Sequence, residues 1–157
     1  MEDASADWRT ELDRPDLGPE ITTWRAREGG PSIGAIMLHV IAAEVFWVER
    51  AVFGGEISDE VKKELLWDEL DVDSDTWPDA PAQPLSWFFE LHAKYRKQSL
   101  EAIKGWPPAE TVYPFHNREV SLRWILGHLI QHEAYHGGQV MMLYGQWKAS
   151  GALRQGS

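Results

Sequence analysis

Three histidines recur four residues apart in one stretch, His128, His132 and His136, within Gly127-His-Leu-Ile-Gln-His-Glu-Ala-Tyr-His-Gly-Gly138. At 100° per residue, helix positions i, i+4 and i+8 fall within about 80° of one another. One helix face therefore presents three imidazoles, and neutral imidazole nitrogens suit divalent first-row ions. The chain has six histidines, so half of them sit in this patch. A fourth, His39, lies in a run from Ile33 to Val48 that is apolar apart from His39 and Glu44. Two histidines four apart can hold one ion from adjacent turns, and a facing helix must supply a third ligand. His39, His132 and His136 are accordingly the expected metal ligands. A lone histidine in an apolar helix is also commonly a hydrogen-bonded core residue, and that reading of His39 stands beside the metal one. His128, one turn before His132, is expected behind the ligands as an orienting partner or at a subunit contact.

His132-Glu-Ala-Tyr-His136 also matches the H-E-x-x-H pattern of zinc peptidases, whose glutamate is a general base. No His, Asp or Glu follows His136, where such enzymes place their third ligand, and no convincing strand is present to hold a peptide. Glu133-Ala-Tyr-His136 is half of a di-iron pattern, but no other glutamate is followed three residues later by histidine. A peptidase and a dinuclear carboxylate site are both disfavoured. Glu133 lies about 60° around the helix from His136, where it either serves the metal site as an acid–base group or faces solvent. His92 and His116 have no partner pattern and are expected at the surface, with His116 able to overhang the site from the loop before the last helix.

The elements that must position these residues are helical. Residues 4–13 form a short amphipathic helix in this reading, with Trp8 and Leu12 four apart, broken by Pro15, Gly18 and Pro19. Ser32 is an N-cap for a helix whose apolar residues recur from Ile33 to Val52 and which Gly54-Gly55 ends. Ser58 caps a shorter helix through about Leu70. The segment Asp68 to Pro84 holds six acidic residues and three prolines and reads as a long solvated connection, more an ordinary surface loop than a lid. A third long helix covers Leu85 to Ile103, stopped by Gly105 and Pro107-Pro108. Thr111 to Val120 alternates weakly and is expected as extended loop rather than sheet. Ser121 caps the last and longest helix, Leu122 to Lys148. The expected architecture is an all-α bundle forming one domain over 1–148, with a frayed tail over 149–157.

Composition bounds the function. The 157 residues include no cysteine, which excludes a disulfide framework, a thiolate metal site and a cysteine nucleophile. A net charge of −10 argues against nucleic acid or an anionic membrane as the main partner. The acidic N-terminus does not read as a signal peptide, and the longest apolar stretch is too short to span a bilayer, so the expectation is a soluble cytoplasmic protein.

Three segments, Pro31-Ser-Ile-Gly-Ala-Ile-Met-Leu-His39 through Glu44, Ser121-Leu-Arg-Trp-Ile-Leu-Gly-His128, and His132-Glu-Ala-Tyr-His136-Gly-Gly-Gln139-Val, resemble the DinB/YfiT-like family of metal-dependent four-helix proteins. The last is similar to that family's H-x-x-x-H-x-x-x-H-x-G-Q signature. The resemblance spans roughly residues 20–147. It implies a four-helix bundle with a long crossover connection, here with a short first helix. It also implies one divalent transition metal (Zn, Ni or Fe) on His39, His132 and His136 with a coordination position left open, and a homodimer. Gly137 stands where family members often carry arginine.

An open three-histidine site lowers the pKa of a water or a thiol brought to the ion. By resemblance, the first reading is a transferase acting on a small-molecule substrate with a low-molecular-weight thiol such as bacillithiol, mycothiol or glutathione. The second is a metal-dependent hydrolase of amides or esters, with Glu133 or His128 relaying protons. The third is a non-enzymatic bundle that binds a metal or ligand. Because the ligands must be neutral, metal loss is expected as pH falls through roughly 6.5 to 5.

Overall fold

In the computed structural model the described residues are 6–14, 17–70 and 77–151. The chain is mostly helical, with helices α1 (Ala6–Leu12), α2 (Pro19–Thr23), α3 (Ile33–Val45), α4 (Asp59–Glu64), α5 (Leu85–Lys104) and α6 (Leu122–Ala149). None is long and apolar enough to cross a membrane. The expected N-caps form: Ser32 accepts from the Ala35 N–H at 3.2 Å, and Ser121 from the Trp124 N–H at 3.2 Å. Helix α3 is buried on nearly all sides and packs against both α5 and α6, which makes it the central element.

Helix α1 is as short as expected, and its mode of attachment explains Gly137. The Trp8 ring is buried, edge-on to Phe89 of α5 with centroids 6.1 Å apart. A Cβ at position 137 of α6 would stand 2.6 Å from Trp8 Cδ1. Only glycine lets the indole seat there. A Cβ on the adjacent Gly138 would meet nothing within 4 Å. Gly137→Leu is therefore expected to destabilise the protein by about 1–3 kcal/mol through overpacking. Gly138→Ala should stabilise α6 by up to about 1 kcal/mol. Urea midpoints of the two variants check the contrast, and equal behaviour would refute it.

Besides the short α2, which the sequence reading left among helix breakers, the structure departs from expectation in four places. First, the helix beginning at Ile33 does not run regularly to Val52, because Phe46–Ala51 is π-helical. Such a turn holds an extra residue and re-aims the side chains beyond it, and apolar periodicity does not register it. Second, α4 ends at Glu64 rather than near Leu70, where Leu66 takes a left-handed backbone (φ 52°). Third, residues 112–121 form an antiparallel hairpin of β1 (Val112–Phe115) and β2 (Arg118–Ser121), with Tyr113 opposite Val120. Its weak alternation is reinforced by packing that no local pattern reports: Phe115 lies 4.3 Å from the Trp47 ring. Fourth, the connection before α5 is no simple solvated loop. Pro78 and Ala80 are buried, and Arg25 donates to the Pro78 carbonyl (2.6 Å) and pairs with Asp79 (2.9 Å). The rest of that connection, 71–76, and the tail beyond 151 lie outside the described residues.

Candidate metal centre

Helix α3 contributes His39 and α6 contributes His132 and His136, and the crossing of these helices brings one nitrogen of each ring within 4.8 Å of the others. His39 Nε2 lies 3.1 Å from His132 Nε2. Two imidazole nitrogens bound at about 2.0–2.1 Å to a tetrahedral ion stand roughly 3.3 Å apart, so this spacing fits a shared ion. The donor set fits as well. His136 Nδ1 donates to Gln139 Oε1 at 2.7 Å, which leaves its Nε2 as the free lone pair. Gln139 stands in the family-like segment, but its orienting role is not legible from spacing.

The three rings are held neutral. Burial, with a contribution from His136, lowers His39 from 6.5 to about 4. Burial together with His136, His39 and His128 lowers His132 to about 3. Burial also lowers His136, against the opposing hydrogen bond to Gln139. Clustered unprotonated imidazoles form a donor set ready for a cation. They also move the expected acid edge for metal release below the ordinary imidazole range.

The other sequence candidates separate. His128 does reach the site region: it stacks on Trp124 (4.9 Å, 7°), and its ring lies 5.7 Å from that of His132. Glu133 neither faces solvent nor lines the cavity at the triad. It is 2% exposed, and its Oε2 accepts from Arg96 Nη2 at 2.7 Å. His92, expected at the surface, is fully buried. Both belong to a polar network in the core. Arg96 Nε donates to Glu44 Oε1 and Oε2 at 3.0 and 2.9 Å, and Arg96 Nη2 lies 3.1 Å from His92 Nε2. Burial alone would raise the Glu44 pKa, but hydrogen bonds from His92 and Arg96 hold it below the usual carboxylate value. The network ties α3 and α6, which carry the histidines, to α5. Its sequence signals were Glu44 inside an apolar helix, which demands a cationic partner, and the i,i+4 pair His92 and Arg96.

The triad opens into a cavity of about 750 Å³. Its walls are aromatic, with Phe46, Trp47, Trp67, Trp77, Phe115 and Tyr135 among them. Trp77, from the acidic connection, packs edge-on over His39 at 5.4 Å. His116 also borders the cavity, at the hairpin tip with a left-handed backbone (φ 53°), so the overhang allowed by the sequence occurs. Tyr95 and Tyr144 lie in the core.

The cavity and triad are carried by a helical frame with parallels elsewhere. A crystal structure of a DinB-like protein from Bacillus cereus ATCC 10987 superposes with a TM-score of 0.60 at 20% identity, covering 91% of this chain and 85% of that one. No curated protein sequence matches the chain. The family model of the DinB superfamily matches residues 6–140, a span that takes in all three clustered histidines. By that match over most of its length, the chain belongs to the DinB superfamily.

Proposed function

We propose that this chain is a metal-dependent enzyme that transfers a low-molecular-weight thiol to a small electrophilic molecule. The observation that carries this reading is the convergence of three neutral imidazoles in the wall of a large cavity lined mostly by aromatic side chains. His39, His132 and His136 would hold one divalent ion, with Gln139 orienting His136. An ion with an open position there supplies acidification of a thiol or water brought to it. The aromatic walls bind the apolar body of a substrate and exclude water. In this reading the helices form a four-helix bundle of which α1 is the reduced member.

Hydrolysis of an ester or amide is the second reading, favoured by His128, which lines the cavity beside His132 and is placed to relay a proton. Glu133, held by Arg96, is not used in either reaction. Purified without a histidine tag, the protein is expected to consume glutathione, bacillithiol or mycothiol in the presence of an electrophilic aromatic halide, and His132→Ala to lose this turnover. Turnover of aryl esters without any thiol would select hydrolysis. A stoichiometric metal with neither activity would leave a metal-binding bundle.

The reading includes a homodimer through the outer face of α6. Gly127, Ala134, Gly138 and Gly145 are exposed there at helical spacing, and Ile130 and Met142 are 41% and 57% exposed. Small residues allow close helix approach, and exposed apolar residues favour its burial. Sedimentation as a monomer at every concentration would remove this part of the reading.

A further inference from the structure

The chain carries 25 acidic and 15 basic residues, yet no carboxylate is among the described residues lining the large cavity. Five of the six histidines border it, and among the described residues Arg50 is the one full cation that does. The described part of this wall therefore carries its one full charge as a cation, whereas the protein as a whole is acidic. Arg50 lies in the π-helical segment, about three turns along the same helical rod from His39. The residues that share its cavity-facing side, Phe46 and Trp47, are aromatic. Among the described residues, no carboxylate pairs with Arg50. A guanidinium left open beside an apolar wall is suited to one anionic group, which it can bind through two parallel hydrogen bonds. Aromatic faces alone would also welcome a cation, but Arg50 opposes one here.

We propose that the cavity selects small molecules with an apolar, preferably aromatic, body and one carboxylate, and that Arg50 pairs with the carboxylate while the opposite end of the molecule points to the histidine triad. This deepens the reading of the cavity as a substrate site and rests on it. The specificity residue is Arg50, and the device that aims it is the π-helical turn after α3.

The test uses hydrocinnamate, its neutral amide and phenylpropylamine, titrated by tryptophan fluorescence and calorimetry into the protein as purified. The same titrations are made with Arg50→Met and with His132→Ala. Hydrocinnamate is expected to bind about tenfold more tightly than the amide, the increment of a charge-assisted hydrogen bond, and the amine most weakly. Arg50→Met should abolish the preference while still binding the amide, and His132→Ala should keep it. Equal binding of acid and amide, tighter binding of the amine, or no saturable binding by any probe would overturn the proposal. So would a preference that survives in Arg50→Met but disappears in His132→Ala, since the anion would then be held at the triad. Metal content and thiol turnover, measured separately, report on the enzymatic reading, so the failure of one is distinguishable from the failure of the other.

Discussion

Replacing His132 with alanine is expected to weaken metal binding about a hundredfold, so that the purified variant holds no stoichiometric ion. Structural zinc sites with four ligands bind with roughly 10–16 kcal/mol at neutral pH, or about 3 kcal/mol per ligand, and each 1.4 kcal/mol is tenfold. His132 is the ligand to remove because its Nε2 lies 3.1 Å from that of His39 and its ring 4.4 Å from that of His136. Elemental analysis beside the wild type checks the loss, and equal metal in the two proteins would exclude the triad.

The same site sets a pH dependence. Protons compete with metal only near the ligand pKa values, and burial has already taken His39 to about 4 and His132 to about 3. With His136 lowered as well, the metal-release edge should fall below the ordinary imidazole range. Without metal the linkage destabilises on acidification. The unfolded chain, whose histidines titrate near 6.5, takes up protons that the folded cluster refuses. The stability these histidines contribute is present above about pH 6.5 and declines as pH falls toward the folded-state values. Unfolding midpoints of the metal-free protein across this range give the sign directly.

Arg96→Met is expected to destabilise the protein by about 3–5 kcal/mol, the range seen when one partner of a buried ion pair is removed. Glu44 and Glu133, each 2% exposed, would then sit unpaired in the core, with His92 beside them. Arg96→Lys should recover only part of the loss, because an ammonium keeps the charge but not the planar fork that reaches Glu44 and Glu133 together. Combining Arg96→Met with Glu44→Gln and Glu133→Gln should recover much of it, since the buried charges leave with their partner. Urea denaturation of the four proteins decides the matter. A loss below about 1 kcal/mol in Arg96→Met would mean that water already solvates the carboxylates.

The features legible in residue order alone are local. Serines at positions 32 and 121 cap helices because their hydroxyls reach the N–H three residues on, and glycines and prolines end helices wherever they interrupt the pattern. The i, i+4, i+8 spacing places His128, His132 and His136 along one side of α6 whatever the helix packs against. The apolar run around His39 required a helix with little room for a solvated face. Tertiary structure decided which of these histidines meet, because convergence of His39 with His132 and His136 depends on how α3 crosses α6. It also turned Glu133 away from the triad: a residue one position from His132 is rotated by 100°, and Arg96 on a third helix was there to receive it. The spacing of His92 and Arg96 puts them side by side on α5, but burial of His92 was decided by Glu44 and Glu133, which come from two other helices. The hairpin and the π-helical turn, too, exist through contacts distant in sequence, Trp47 against Phe115 and Trp124. Short-range backbone preferences are written in spacing; the chemistry of the cavity, with His116, Arg50 and Trp77 on separate elements, came from packing between segments that share no local pattern.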